Sequence, residues 1–321
     1  MELTGFHKDS DIFTFDGWKN IAEIKSGDKL ATLNPYTRIA EFLPCKDVKE
    51  LDYSGNMIGG GVKKDAKAGF FITPESKALV YLESDPSPGF LKAKYLLNQK
   101  SIFYIAHINK FKGINKLKYK VKDVSVEGHD AAYLLGIIFA KGIITRNFIY
   151  FPLYQEEETS LKIKELLTKL GIKFLAKKNE NLSVEIYSQS FCDYIETNLG
   201  KNRYERFISD KIKNLSSELL KSFVQGIFLC TKRNAVAAYK NNNNKCINDL
   251  YYILNKVGYR YIFSFVGYMG LIRCFANNDY SYNVEEIRYK DKIYSIIIEP
   301  YHTLLIRLGK LCGFWCGDSK Q

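Results

Sequence analysis

The chain has no run of about 18 apolar residues, the length a bilayer-spanning helix needs, so no membrane span is expected. Its first residues, MELTGFHKDSD, hold neither a basic leader nor an apolar stretch, so no secretion signal is expected. The seven cysteines, at positions 45, 192, 230, 246, 274, 312 and 316, are odd in number and form no CxxC pair. That scatter argues against a disulfide framework and against structural zinc. No glycine-rich phosphate loop occurs either. The expectation is an intracellular protein of the cytoplasm, nucleus or virion, with no membrane and no small-molecule substrate. Acids are in deficit, 35 against 47 basic residues, for a net charge of +12 and a pI near 9.1. This balance favours an anionic partner, and nucleic-acid backbones are the commonest. A Lys-, Asn- and Tyr-rich composition, as in KNNNNK, also arises by drift in an AT-rich genome. With 321 residues and 46% hydrophobic content, the chain has material for two or three domains and ample core.

What is present is organised around residues 130–143, DAAYLLGIIFAKGI, a helix apolar almost all round with small residues at Gly136 and Ala140. That spacing puts both on one helix face, where a second backbone can come close. The pattern returns at 220–232, LKSFVQGIFLCTK, with Gly226 and Cys230 in the same relation. Two such faces suit the seam of a pseudo-dimer. After the first copy the pattern predicts strands around Asn147, a helix over 156–170, and two strands over 173–187 around a turn at 179–181. After the second it predicts a strand over 235–239, a helix over 247–257 and strands from 259 to 275.

Helix, strand pair, helix, strand pair, written twice, resembles the LAGLIDADG homing endonucleases over roughly residues 120–275, and DKIKNLSSELLKSFVQGIF resembles the approach to their second motif. The resemblance implies an acid near the end of each central helix, binding divalent metal that cuts DNA. The aligned residues are Lys141 and Thr231. An ammonium repels a hard cation and threonine is a poor substitute for a carboxylate, so metal-dependent cleavage is expected to be lost. No metal site is expected, and Mg²⁺ only were the endonuclease active. The acids 156–158 suit the start of a helix by its dipole. Candidate nucleic-acid contacts are Arg146, Lys232 and Arg233, where the family's sheets meet DNA, with Asn147 beside Arg146. Lys116, Lys118 and Lys120, with Lys122, alternate with Leu117, Tyr119 and Val121, giving one basic and one apolar strand face.

The flanks carry a second resemblance. LTGFHKDSDIFTFDGWKNIAEIKSGDKLATLNP, with short strands and DG and GD turns, is similar to the first block of the hedgehog/intein (Hint) fold. FFITPESKALV resembles its second block, and IYSIIIEPYHTLLIRLGKLCGFWCGDS its two C-terminal blocks. Splicing implies a thiol or hydroxyl nucleophile at the first position; the aligned residue is Glu2, or Met1 if the block shifts. It implies a Thr-x-x-His that polarises the scissile amide; Thr73 is present but Ser76 stands at the histidine. His302 matches the C-terminal histidine. Asp318 replaces the cyclising asparagine and is followed by Ser319. A chain that starts at its own Met1 and ends at Gln321 would also have almost nothing to splice. A Cys316–His302 pair is conceivable in space. The segment 85–89, DPSPG, reads as a surface loop, and the aromatic-rich 259–268 as sheet core.

The resulting expectation is an α+β protein. An all-β Hint domain, in parts 1–115 and 279–321, is split by an inserted pseudo-symmetric LAGLIDADG (αββαββα)2 domain over 116–278. It would have lost both splicing and DNA cleavage, and be retained to bind double-stranded DNA or as a structural component of a larger assembly, viral or organellar. One rival is an active endonuclease with relocated metal ligands, which predicts Mg²⁺-dependent cutting. A residual splicing element is the other, predicting processing of a fused precursor.

Overall fold

The computed structural model describes residues 3–62, 69–82, 85–97, 103–105, 110–121, 124–154, 157–178, 182–202, 204–233, 236–241, 243–266, 269–275, 282–309 and 313–318. It is a mixed α/β protein forming two compact units, one from Met1–Ile108 with Asn277–Gln321 and one from Asn109–Ala276.

The unit made by the two chain ends is built on a 12-stranded antiparallel sheet. Segments far apart in sequence alternate within it: Ser10–Thr14 pairs with Thr303–Leu308, and Phe6–His7 with the long strand Tyr282–Ile298. That strand forms an extended ribbon with Ala40–Val62. Phe6, Ile12, Leu30, Ile58, Phe70, Ile72, Ile296, Leu304, Ile306 and Phe314 fill one core, so neither end of the chain can bury its apolar face without the other. Residues 21–23 form one 3-10 turn, capped by the Asn20 side chain on Ala22 N–H. The expected loop at DPSPG is instead strand: Asp85–Lys92 pairs with Lys77–Leu82 and closes the sheet as an edge. Prolines are tolerated there because an edge strand leaves one row of N–H groups unpaired.

The 109–276 unit repeats itself. Helix Gly128–Lys141 is followed by strands Ile143–Ile144 and Phe148–Tyr154, helix Glu157–Lys169, then strands Leu175–Lys178 and Leu182–Tyr187. Helix Ser217–Thr231 is followed by Lys232–Arg233, Val236–Asn241, helix Asn244–Val257, then Arg260–Val266 and Met269–Phe275. In each copy the strands, numbered within that copy, order as first, second, fourth, third, all antiparallel. The first copy adds a third helix, Gln189–Leu199, capped by Ser188 on Phe191 N–H. Among the described residues the second copy has none: after Phe275 the next element is the strand Tyr282–Ile298 of the other unit. The even (αββαββα)2 count is therefore corrected at its last helix.

A second signature of the fold is a buried lysine. Lys256 donates to the carbonyls of Lys213 (2.6 Å) and Leu215 (3.3 Å), closing the short helix Asp210–Lys213, while Lys213 itself pairs with Asp249 at 2.6 Å. Burial pushes the Lys256 ammonium down to about 8 from 10.5. Below about pH 8 both folded and unfolded chains carry its proton and the full desolvation cost is present. As pH rises toward 10.5 the folded chain sheds the proton first, so this residue's contribution to stability grows, by about 3 kcal/mol at most. Urea unfolding near neutral pH and near pH 10 should show the wild-type-minus-Lys256→Met difference moving toward wild type with pH. A flat difference would contradict it.

Candidate functional site

The two long helices of the 109–276 unit meet at their glycines. A Cβ added to Gly136 would collide with the Phe223 carbonyl oxygen and lie 3.1 Å from Gly226 Cα. One added to Gly226 would collide with the Tyr133 carbonyl oxygen and lie 3.1 Å from Gly136 Cα. Each glycine thus faces the carbonyl three residues before the other, the reciprocity a local two-fold requires. His129 Nδ1 and Ser222 Oγ meet at 2.9 Å. Both stand on the N-terminal side of their glycines, about 10 Å and about 6 Å along the axes, so the helices run in the same direction. Their C-terminal ends emerge together. Ala140 and Cys230 are half-buried.

Lys141 and Thr231 are the last residues of these helices, each five residues past its glycine, about 7.5 Å along the axis. Thr231 Oγ1 donates back to the Ile227 carbonyl at 2.9 Å. Beside Lys141 sits a group that the sequence did not single out. Arg206 is 2% exposed, and its guanidinium donates to the carbonyls of Ile138 (3.0 Å), Gly142 and Gly200. A buried cation therefore occupies the negative end of the first helix dipole. Among the described residues no three His, Cys, Asp or Glu side chains gather as a metal site. The helix end that the resemblance would load with cations carries fixed positive charge instead.

The nucleic-acid candidates fall into two groups. Arg146 is exposed in the turn after Ile143–Ile144, and Lys232–Arg233 form the short strand after the second helix, so both follow helix C-terminal ends. Lys116, Lys118 and Lys120 are exposed at the other end: strand Lys118–Val121 pairs with Val124–Glu127, and Glu127 immediately precedes the first helix. That helix has 14 residues, which separates the groups by about 20 Å. Tyr119 turns its ring inward, 3.9 Å centroid to centroid from Tyr194, with its hydroxyl on the Ser190 carbonyl at 2.6 Å. Lys122 and the acid Glu156 lie outside the described residues.

In the other unit Thr73 and Ser76 come together, their hydroxyls 2.9 Å apart and both buried. They hold the backbone of Gly5: its N–H lies 3.0 Å from Thr73 Oγ1 and 3.2 Å from Ser76 Oγ, and its carbonyl, part of the next peptide group, accepts from Thr73 N–H at 3.0 Å. Gly5 has no side-chain nucleophile. Glu2 and Ser319 lie outside the described residues. His302 Nδ1 and Asp318 Oδ2 meet at 2.8 Å, and the same oxygen accepts from Ile298 N–H at 3.0 Å. His302, at φ 54°, is in the left-handed region and returns its carbonyl to Asp318 N–H at 2.8 Å. Its ring thus engages Asp318. Cys316 is fully buried, and burial pushes its thiol well above the ordinary range, which leaves it an unreactive packing group.

The fold thus defines a mixed α/β protein in which a large antiparallel sheet and a duplicated unit with a glycine seam share one chain. No family model matches the chain. Uncharacterized protein MJ1054 of Methanocaldococcus jannaschii is 26% identical over 184 residues, 50% of this chain and 19% of that protein. The chain therefore spans about a fifth of the length of the curated relative it matches. Similar solved structures are LAGLIDADG homing endonucleases and a WhiA domain, matching 46% of this chain. I-DmoI in complex with DNA and Ca is 13% identical, with 83% of its own chain covered and a TM-score of 0.36. The N-terminal LAGLIDADG domain of DUF199/WhiA is 16% identical, with 76% covered and a TM-score of 0.33. Full-length DUF199/WhiA from Thermatoga maritima is 12% identical, with 51% covered and a TM-score of 0.32. Among the described residues no helix is long and apolar enough to cross a membrane.

Proposed function

We propose that the 109–276 unit binds duplex DNA without cutting it, and that the unit of the two chain ends is a Hint-like scaffold that no longer transfers acyl groups. The observation that carries the reading is the pair of joined helix ends, where Lys141 and the buried Arg206 guanidinium stand at one end and Thr231 at the other. Positive charge there attracts phosphate and repels a divalent cation. The Hint-like half is supported by Thr73 and Ser76 gripping the backbone of Gly5, a residue with no side-chain nucleophile, and by an aspartate paired to His302. Splicing chemistry asks for a thiol or hydroxyl at the first place and a neutral carboxamide at the second.

The test is fluorescence polarisation of labelled random-sequence duplexes with the full chain, in Mg²⁺ and in EDTA. Binding should be equal in both, fall with log salt concentration, and leave the strands intact on a denaturing gel. Arg146→Gln should weaken binding to all sequences alike and lower the salt slope by about 1. Mg²⁺-dependent scission, or no salt-dependent binding, would overturn the reading.

A further inference from the structure

A cleft of about 310 Å³ opens in the unit of the two chain ends, between the turn that joins strands Ser10–Thr14 and Gly17–Asn20 and the start of strand Lys29–Leu33. The turn is held from within: Thr14 Oγ1 donates to the Gly17 carbonyl at 2.7 Å and accepts from Asp16 N–H at 3.2 Å. Phe15 N–H, on the Lys29 carbonyl at 2.9 Å, ties it to strand Lys29–Leu33. Trp18 forms part of the wall. Its ring packs 5.0 Å from that of Phe13 and 4.4 Å from the Arg307 guanidinium, which Asp11 holds at 3.0 Å. Among the described residues the buried indole N–H has no hydrogen-bond partner, an arrangement that folded chains otherwise avoid.

Four charged side chains line the cleft, and two of them answer each other. Lys19 Nζ lies 2.7 Å from Asp28 Oδ2, and the same oxygen accepts from Lys25 N–H at 3.0 Å. The other two, Asp16 and Lys29, are exposed, and among the described residues neither has an ion-pair partner. The Lys29 ammonium stands 5.6 Å from the centroid of the Phe15 ring. One unpaired carboxylate and one unpaired ammonium on the same cleft disfavour a simple ion of either sign, since it would meet a like charge beside its partner. A molecule that carries both signs answers both. The volume lies at the lower end of small-molecule sites, about 300–1,000 Å³, and suits a ligand of amino-acid size. The Trp18 wall suits an apolar group on that ligand.

We propose that this cleft is a binding site for a zwitterionic small molecule, an α-amino acid with an apolar side chain. Asp16 takes the α-ammonium, Lys29 takes the α-carboxylate, and Trp18 packs against the side chain. Neither DNA binding nor acyl transfer is required at this site, and the readings fail separately.

The test is isothermal titration calorimetry of the full chain with L-phenylalanine, at about pH 6, where every ammonium in the set is charged. Beside it run N-acetyl-L-phenylalanine, which lacks the ammonium, and L-phenylalanine amide, which lacks the carboxylate. L-Phenylalanine should bind, and each derivative should bind more weakly by about ten-fold or more, the effect of one lost charge-assisted hydrogen bond. Asp16→Asn keeps a turn-forming residue and should weaken L-phenylalanine to the same degree, with the N-acetyl derivative unchanged. Lys29→Met should likewise weaken L-phenylalanine and leave the amide unchanged. Urea unfolding followed by tryptophan emission checks that each variant is folded, since both tryptophans lie in this unit. No binding of L-phenylalanine up to about 10 mM would overturn the proposal. So would derivatives that bind as tightly as the amino acid, or a folded variant that binds it as wild type does.

Discussion

Replacing Gly136 by alanine should cost the 109–276 unit about 3 kcal/mol or more, and Gly226→Ala about the same. The new methyl has no space: at Gly136 it meets the Phe223 carbonyl oxygen and at Gly226 the Tyr133 carbonyl oxygen, and both obstacles are helix backbone. A flexible side chain could swing aside, but a hydrogen-bonded carbonyl moves only with its helix, so the seam must open along its length. Lost contacts then extend to Phe139 and Phe223, whose rings pack 5.7 Å apart across it. Because either methyl alone opens the same seam, the double variant should lose less than the sum of the two singles. Urea unfolding followed by far-UV ellipticity reads this unit, since among the described residues every helix longer than four residues lies in it. Gly171→Ala is a useful contrast. It sits at φ 66° with nothing within 4 Å of its added Cβ, so only backbone strain of about 1 kcal/mol is expected. Equal small effects at positions 136 and 171 would refute the close backbone crossing.

The second large effect lies at Asp318. Its side chain is fully buried, and one oxygen serves both His302 Nδ1 and Ile298 N–H. Asp318→Ala removes the carboxylate and leaves a backbone N–H and an imidazole nitrogen facing an apolar void, at about 3–5 kcal/mol. Asp318→Asn keeps an oxygen for one of the two and should cost about 1–2 kcal/mol. Tryptophan fluorescence is the natural readout, because both tryptophans, Trp18 and Trp315, belong to this unit and Trp315 is buried three residues from the substitution. If alanine and asparagine were equally harmless, the His302–Asp318 contact would hold nothing in place.

The duplicated unit was legible in the sequence because its signals are local. Gly136 and Gly226 carry the helix crossing, and Gly171 and Gly258 end the two following helices in left-handed turns, as their positions after apolar-periodic runs imply. What stayed illegible depends on distant pairing. That Thr73 and Ser76 would hold the Gly5 amide follows from Phe6 pairing with Ile72 in the sheet, a contact 66 residues apart in the chain. Arg206 gave no signal, since either arginine of GKNRYERFIS reads as solvated until the helix end that Arg206 caps is in place. The lysines of 116–120 had the alternation of a half-buried strand, but only the hairpin's junction with the first helix shows that they lie far from Arg146. The prolines at 86 and 88 marked a loop, and the sheet edge overrode them.

The interleaving of the two chain ends also sets an order of events at the ribosome. Strand Ser10–Thr14 waits, with one edge open, until Thr303–Leu308 has been made. The 109–276 unit needs nothing later than its own last strand, so it can finish first, while the early strands still lack their late partners. A nascent chain of this protein therefore passes through a stage in which a completed middle trails an unfinished beginning. Whatever shields those early strands from neighbouring chains must act during that interval.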